Sequence, residues 1–323
     1  MALVPLNAAH AAQIQAGISG RHHGHDFEFN LAQRINALPC HQPASRPSQP
    51  VFRGDPAAVL LGYAVTHIGW SHADRAEAIA LGALATTEDG HNWLEVNGVT
   101  VRACKSDVLV TLYQGGLDPL TIGVSVKQCN NKAPTNAQLF FSTAHAFCVL
   151  LRRSGIKVSD CAETALQQFC GDAGYQPLDT PSCLIGRITD PRRFFWEETN
   201  QVGRQELENI FTSEQDKITR LLLQKAYLAD PFTPDLLLHK TKKLPYDPQE
   251  YALYSVDQLV TLSRKYQGFA KKVYSVNKGR HRDPPGIHHE APRFGIVQMQ
   301  RGGQKQHPTQ LQFNLEAGYF YKI

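Results

Sequence analysis

The sequence contains no apolar run of about 18 residues, so it has no segment that we expect to cross a membrane as a helix. Its first residues lack the basic start and the long apolar stretch of a secretory signal, which favours a cytoplasmic protein. The seven cysteines are scattered and never spaced as Cys-Xaa-Xaa-Cys, which disfavours a disulfide framework and a zinc ribbon. These absences predict a globular protein with reduced thiols.

The excess of positive charge is also small, because 33 Lys and Arg face 29 Asp and Glu. The resulting net charge of +4 does not by itself indicate a nucleic-acid partner. Basic residues nevertheless gather over 264–272 and 278–293, and such a loop suits contact with phosphate groups, although a solvated surface loop explains it equally well. The 14 histidines show no His-Glu-Xaa-Xaa-His pattern, so a phosphate-contacting or structural role is favoured over a metal site.

The periodicity of apolar residues predicts helices that alternate with a cluster of strands. The proline-rich segment 39–56 is predicted to be a loop. The predicted helices cover 26–38, 73–84, 137–153, 161–170, 204–228 and 251–273. The predicted strands cover 93–96, 99–101, 106–113, 120–127, 293–301 and 310–321. This order predicts an α/β (α+β) fold, in which helices flank a central mixed β-sheet and a helical insertion or subdomain is added.

The most informative segment is a predicted hairpin, whose strands over 106–113 and 120–127 are joined by a glycine-containing turn. Antiparallel pairing brings the start of the first strand beside the end of the second, so we expect Asp107 and Lys127 to be neighbours. Since residues two apart on a strand share a face, Ser125 is expected on the side of Lys127. A simple ion pair at the edge of the sheet would also explain this arrangement.

A hard cation such as Mg²⁺ prefers carboxylate and carbonyl oxygens, and Asp107 together with the backbone carbonyl of Val126 would supply both. Such a cation can sit on a phosphodiester and lower the pKa of an attacking water. A lysine beside the same position can orient that water and stabilise the developing charge. The hairpin therefore indicates a candidate site for metal-assisted phosphodiester hydrolysis, with Lys127 as the lysine.

These residues resemble the PD-(D/E)XK nuclease superfamily, specifically the type II restriction endonucleases, and the resemblance is specific over 106–132. Asp107 matches the first Asp of the motif, with Ser106 where proline is common, and Lys127 matches its lysine. The sequence departs from the pattern at Ser125, where Asp or Glu is usual. Some restriction enzymes similarly have Ser-Xaa-Lys there and recruit a carboxylate from elsewhere.

The resemblance extends to 20–35, because enzymes of this superfamily often carry a Glu on the first helix that points into the site. Glu28 lies between two phenylalanines at the corresponding place, and it is the first candidate for the missing acid. An ordinary surface glutamate is the alternative. Glu95, on the strand before Asp107, is a weaker candidate.

The resemblance implies a restriction-endonuclease-like fold and a Mg²⁺-dependent enzyme that cuts double-stranded DNA at specific sequences. It makes 1–175 the catalytic nuclease core, 176–275 a mainly helical region, and 276–323 a set of C-terminal strands with a basic loop that contacts DNA. The catalytic candidates are Asp107, Lys127, Glu28, Ser125 and Gln128. The metal ligands would be Asp107, Glu28 and the carbonyl of Val126.

The same interpretation gives candidate DNA contacts, because Arg pairs with guanine and Gln or Asn with adenine in the major groove. A polar sheet edge and loop would explain the C-terminal part of the set as well. The candidates are Arg21, His22, Asn130, Asn131, Lys132, Arg280, Arg282, Gln298, Gln300, Arg301 and Lys305.

The expected partners are double-stranded DNA and a second copy of the chain, since a twofold homodimer matches a palindromic site and cuts both strands. A cognate methyltransferase would act on the same DNA site without needing to bind this protein. Two other functions stay open: a structure-specific repair or transposition nuclease, and a catalytically silent DNA-binding protein. The Ser125 departure is the best argument for the silent protein.

Overall fold

Two multi-stranded sheets organise the chain in a computed structural model. The structure describes residues 25–39, 47, 49–81, 94–101, 104–129, 134–181, 190–225, 230–241, 249–266, 268–276, 282–301 and 310–321. The helices are α1 (25–37), α2 (Pro56–His67), α3 (Ala144–Arg153), α4 (Asp160–Cys170), α5 (Gln201–Ser213), α6 (Gln215–Gln224), α7 (Val256–Arg264) and α8 (Ala317–Phe320). No helix in these ranges is long and apolar enough to span a membrane.

The strands form three sheets, of six, five and two strands. In chain order they are β1 (Val51–Arg53), β2 (Arg75–Ala80), β3 (Leu94–Val96), β4 (Val99–Val101), β5 (Val108–Tyr113), β6 (Leu120–Cys129), β7 (Ala137–Ser142), β8 (Pro234–Thr241), β9 (Glu250–Ser255), β10 (Phe269–Tyr274), β11 (His289–Phe294), β12 (Val297–Arg301) and β13 (Leu311–Leu315).

The chain divides into two compact units, each made of separate stretches of sequence. The first comprises Met1–Ala137, Leu223–Leu259 and Ala317–Ile323, and the second comprises Gln138–Leu222 and Val260–Glu316. The division expected from the sequence used three contiguous segments instead, namely 1–175, 176–275 and 276–323. Local sequence patterns do not reveal that distant stretches return to the same unit.

The first unit contains the six-stranded sheet, in the order β1-β9-β8-β6-β5-β2. The β6–β8 pair is parallel and its neighbours are antiparallel, so the sheet is mixed. Helices α1 and α2 pack on one face through a core that includes Leu31, Ile35, Leu60, Val124 and Leu236. This mixed sheet with flanking helices confirms the predicted fold class.

The placement of α1 is fixed by both apolar and polar contacts. Leu31, Ala32 and Ile35 recur at helical spacing and are buried, as the apolar periodicity predicts. The side chain of Asn36 accepts a hydrogen bond from the backbone N–H of Ala78 at 2.6 Å and donates to its carbonyl at 3.0 Å. Asn36 therefore satisfies backbone groups of the edge strand β2, which would otherwise be open to another chain.

The second unit contains the five-stranded sheet, in the order β10-β11-β12-β13-β7. Aromatic side chains fill its core: Phe147 stacks on Phe211 at 6.4 Å between ring centroids, and Phe211 on Phe294 at 4.7 Å. All three rings are fully buried. The sequence predicts a helical subdomain here, whereas this unit combines helices α3 to α5 with a sheet.

Several predicted elements differ from those observed. The segment 73–84, predicted to be a helix, forms the strand β2, whose alternating exposed and buried residues pair with β5. The segment 251–273 divides into β9, α7 and β10, so the described part of 176–275 contains strands as well as helices. In both places, pairing with distant strands outweighs the local helix propensity of the sequence. The predicted loop 39–56 holds the short strand β1.

Gly123 is required where β6 passes the segment before β5. A Cβ atom at this position would lie 2.3 Å from Ser106 Oγ and 2.5 Å from the carbonyl oxygen of Thr233. We expect Gly123→Ala to lower the free energy of unfolding by about 1–3 kcal/mol, because the added methyl group has no space. Urea denaturation measures this change. Gly318→Ala is the control, because no atom lies within 4 Å of its Cβ position and stability should not fall.

Candidate active site

Asp107 and Lys127 are brought together by the β5–β6 hairpin. Val108 pairs with Val124 in the antiparallel register, and continuing it by one residue places Asp107 opposite Ser125. The Lys127 ammonium lies 3.1 Å from Asp107 Oδ2, and both side chains are about three-quarters buried, with 22% and 27% exposed. The neighbours expected from the sequence are therefore in direct contact.

One oxygen of Asp107 accepts three hydrogen bonds. Its Oδ2 accepts from the backbone N–H of Val126 at 2.6 Å, from Ser125 Oγ at 3.2 Å and from Lys127 Nζ at 3.1 Å. Ser125, at the position where the family has an acid, thus acts as a donor that holds Asp107. A carboxylate there would instead repel it.

The backbone carbonyl of Val126 completes this arrangement, because Lys127 Nζ also donates to it at 3.1 Å. The Asp107 carboxylate and the Val126 carbonyl therefore converge on one cation, the lysine ammonium. The Asp107 carboxylate oxygen and the Val126 carbonyl oxygen are hard donors, the type that coordinates Mg²⁺ in proteins.

Glu28 is the acidic residue of α1 that faces inward, and it is only 7% exposed. The pKa of its carboxyl is raised to about 8, by burial first and by the nearby Asp107 second, while Lys127 acts in the opposite direction. The neighbouring Phe27 ring lies 4.2 Å from the ammonium of Lys240 near the end of β8. The start of α1 thus lies at the end of the sheet where Asp107 and Lys127 meet. Glu28 is therefore not an ordinary surface glutamate.

Oxygen donors at this site fit a hard divalent cation. Asp107 and Glu28 supply carboxyl oxygens and Val126 supplies a carbonyl, and Mg²⁺ is usually held by one or two carboxylates with water completing the shell. In the part of the chain that the structure describes, no group of three or more His, Cys, Asp and Glu side chains could hold a metal ion. The candidate ligands are not a group of that kind, because they comprise two acidic side chains and one backbone carbonyl oxygen.

Lys105 is a second lysine at the site, and the sequence analysis missed it. The pKa of its ammonium is lowered to about 7, by burial first and by the positive charge of Lys127 second, while Asp107 and Asp230 act in the opposite direction. The signal in the sequence that could have found it is its position, two residues before Asp107 in the segment that leads into β5.

His239 is a second residue that the sequence analysis missed, because β8 pairs with β6 only in the tertiary structure. In the parallel register His239 lies beside Lys127, and its side chain is fully buried. Its Nδ1 atom lies 2.7 Å from the hydroxyl of Tyr321, and Nε2 has no hydrogen-bond partner among the described residues. Burial lowers the pKa of the imidazole to about 4, with Lys127 contributing.

The lowered pKa of His239 predicts acid sensitivity. The fold favours the neutral imidazole, so its contribution to stability is complete above the ordinary pKa of 6.5 and is lost as pH falls towards about 4. The loss approaches about 1.4 kcal/mol per pH unit in that window. Urea unfolding of wild type and His239→Gln across this range measures it. The wild type should lose more stability than the variant, and parallel curves would contradict the prediction.

Gln128 and Glu95 are the two remaining candidates for the site. Gln128 follows Lys127 on β6, so it lies on the opposite face of the strand, and its partner in the register is Lys240. Glu95 lies on β3, opposite Thr100 of β4, and its side chain is outside the described part. The role of Gln128 stays a prediction.

Four of the DNA-contact candidates lie in the described part of the second unit. Arg282 is exposed. Gln298 is buried and accepts a hydrogen bond from Gln300 at 2.8 Å, and Gln300 in turn accepts one from Asn314 at 3.0 Å. These amides form a network across β12 and β13. The candidates that lie outside the described residues are Arg21, His22, Asn130, Asn131, Lys132, Arg280 and Lys305.

Arg301 is held inside the second unit. Its guanidinium lies 4.5 Å from the ring centroid of Phe195 and donates to the carbonyl of Phe194 at 3.0 Å. These contacts hold the guanidinium in place among aromatic residues. Of the four described candidates, Arg282 therefore has the greatest access to a phosphate, and all four assignments stay predictions.

No family model matches the sequence, and no curated protein matches it. Among solved structures, the chain is similar to restriction endonuclease MspI in complex with its cognate DNA, with 11% sequence identity and a TM-score of 0.43. The similarity covers 80% of this chain and 79% of that chain.

Proposed function

We propose that this chain is a Mg²⁺-dependent endonuclease that cuts double-stranded DNA at specific sequences, as type II restriction enzymes do. The observation that carries the proposal is the convergence of Asp107 Oδ2 and the Val126 carbonyl on one ammonium, each at 3.1 Å from Lys127 Nζ. Glu28 is buried, and the charges of Asp107 and Lys127 both act on its carboxyl. In the proposal it supplies the carboxyl that Ser125 lacks. The likeness of the hairpin residues to the PD-(D/E)XK motif gives the reaction class.

In the proposed reaction, Asp107, Glu28 and the Val126 carbonyl hold the cation. When bound, Mg²⁺ would polarise the scissile phosphate and lower the pKa of the attacking water. Lys127 orients that water and stabilises the negative charge that develops on the phosphate oxygens. The water oxygen forms a bond to phosphorus and gives up a proton to solvent, while the bond to the leaving oxygen breaks and that oxygen takes up a proton from solvent, so the protons balance.

Ser125 and the Val126 N–H keep Asp107 fixed during this reaction, because both donate to the same carboxylate oxygen. A preorganised carboxylate needs no rearrangement when the substrate arrives, which favours catalysis.

The proposal includes a cytoplasmic homodimer, since two copies related by a twofold axis would cut both strands of a palindromic site. A cognate methyltransferase would act on the same DNA sequence. The C-terminal candidates, with Arg282 first among them, would contribute DNA contacts.

A catalytically silent DNA-binding protein is the second candidate, and Ser125 is the observation that favours it. With serine at this position, the site has one acid fewer than the usual motif. A structure-specific repair nuclease shares the proposed chemistry but would not recognise a sequence.

The first experiment is incubation of the purified chain with unmethylated phage DNA, in Mg²⁺ and in EDTA, followed by gel electrophoresis. Discrete fragments that appear only with Mg²⁺ would support a sequence-specific endonuclease, and sequencing their ends would give the recognition site. A smear without preferred ends would favour the structure-specific enzyme. A salt-sensitive gel shift without cleavage would favour the silent DNA-binding protein.

A further inference from the structure

In the second unit, Asp283 joins the segment that leads into β11 to the residue that follows β10 by two. Its backbone N–H donates to the carbonyl of Val276 at 2.8 Å, and its Oδ2 atom accepts from the backbone N–H of Val276 at 2.6 Å. Nearby, Ser275 Oγ donates to the carbonyl of Ile287 at 2.7 Å. Hydrogen bonds from two neighbouring residues therefore fix the backbone of this segment to the end of β10.

His289, at the start of β11, holds the carboxyl group of Asp283 from the inner side. Its Nε2 atom lies 3.2 Å from Asp283 Oδ1, and its Nδ1 atom lies 2.7 Å from Glu197 Oε1. The imidazole is fully buried and stacks on the ring of Phe195, and the side chain of Asp283 is only 1% exposed. A buried carboxyl group needs such partners, so His289 determines where the side chain of Asp283 lies.

Arg282 directly precedes Asp283 and differs from it in exposure, because Arg282 is exposed to solvent. In the part of the chain that the structure describes, Arg282 forms no ion pair with an acidic side chain. Together with Ser275 and Pro285 it lines a surface cavity, which gives an anion room to approach. The fixed residue and the exposed cation are therefore neighbours in the chain, so the anchor at Asp283 sets where the Arg282 side chain begins.

We propose that Asp283, held by His289, positions the guanidinium of Arg282 to bind a phosphate of the DNA backbone. This inference rests on the proposed nuclease function, which supplies DNA as the partner. A guanidinium presents two parallel N–H donors that match two phosphate oxygens. An anchored backbone limits the conformations of the long Arg282 side chain, so less entropy is lost when the phosphate binds. Arg282 touches the DNA, and Asp283 is a positioning residue.

Asp283→Ala and Asp283→Asn form a matched pair, because both remove the same negative charge. Asparagine can still accept from the Val276 N–H and donate to His289 Nε2, whereas alanine can do neither. Each change is made in the wild type and in Arg282→Gln. Arg153→Gln, at an exposed position on α3, is the control for loss of one positive charge. The probe is a phage DNA fragment that contains a sequence cut by the wild type, and its binding is measured in EDTA over a series of KCl concentrations.

We expect Arg282→Gln to reduce the slope of log K against log [KCl] by about 0.9, the amount for one phosphate contact, and Arg153→Gln to keep the slope. Asp283→Ala should weaken binding by about fivefold, within the range for coupled residues of one hydrogen-bond network, and by much less in Arg282→Gln. Asp283→Asn should bind at least as tightly as the wild type. Equal affinities of Asp283→Ala and Asp283→Asn, or an equal loss in the Arg282→Gln background, would overturn the inference while leaving the nuclease function intact.

Chemical modification of the wild type makes the test independent of how the variants fold. Its arginines are treated with phenylglyoxal in EDTA, with and without the DNA fragment, and the products are identified by mass spectrometry. DNA should protect Arg282 and leave Arg153 reactive. Equal modification of Arg282 in both samples would overturn the inference. A wild type that neither cuts nor binds DNA would overturn the proposed function and this inference together.

Discussion

Lys127→Met is expected to reduce the rate of DNA cleavage by about two to four orders of magnitude, the range for loss of a group that positions water and stabilises developing charge. The physical reason is the position of Nζ, which lies 3.1 Å from Asp107 Oδ2 and from the Val126 carbonyl. Binding of the same DNA in EDTA should change by less than about tenfold, since one phosphate contact is a small part of the interface. Cleavage kinetics and gel shifts measure the two quantities.

The alternative role for Lys127 is an ion pair that only stabilises the edge of the sheet. In that case Lys127→Met would lower the free energy of unfolding and leave kcat unchanged once the variant is folded. Urea denaturation of the variant separates the two roles. Lys157→Met, at an exposed position in the second unit, is the control for loss of one positive charge. Normal cleavage by folded Lys127→Met would contradict the proposed active site.

Glu28→Gln is expected to stabilise the metal-free protein at high pH. The folded-state pKa of Glu28 is raised from 4.5 to about 8, so the fold favours the protonated carboxyl. Its contribution to stability is complete below the ordinary pKa and is lost as pH rises through about 8. The wild type should lose up to about 1.4 kcal/mol per pH unit within this window, and glutamine should not. Urea unfolding in EDTA at several pH values measures the difference.

The same variant should lose the response to Mg²⁺. A divalent cation beside Glu28 favours its carboxylate, so Mg²⁺ should raise the melting temperature of the wild type above pH 7 and that of Glu28→Gln much less. Cleavage should fall with it, because the variant has one carboxylate fewer for the metal. Asp118→Asn, which removes an acid from an exposed turn, is the control and should keep the Mg²⁺ response. Equal thermal shifts for Glu28→Gln and the wild type would exclude Glu28 as a ligand.

Cleavage by Glu28→Gln also tests whether Glu28 replaces the acid that the motif usually has at position 125. If Glu28 is the second acid, it supplies the carboxylate that is missing at position 125. The hydroxyl of Ser125 then holds Asp107 through the hydrogen bond at 3.2 Å. The site then needs its acid from α1, not from the strand that carries the lysine. Loss of cleavage in Glu28→Gln would support this exchange of positions. Unchanged cleavage would contradict the role of Glu28 as the second acid.

The sequence by itself determined the centre of the candidate site. Two apolar runs joined by a glycine-containing turn define the β5–β6 hairpin, and an antiparallel hairpin has a local register. The contact between Asp107 and Lys127 follows from that register. The helical spacing of apolar residues likewise defines α1. The inward direction of Glu28 was implied only by the resemblance. Each of these features depends on residues that are near one another in the chain.

Only the tertiary structure decided what surrounds that centre. His239 lies beside Lys127 because β8 pairs in parallel with β6, and Lys105 is oriented by the carbonyl of Lys225. The strand β2 forms because β5 is available as its partner, whereas its local sequence favours a helix. These pairings join residues far apart in sequence, and their energy comes from burial and hydrogen bonds that exist only after the distant segments meet. Local periodicity carries no information about which segments those are.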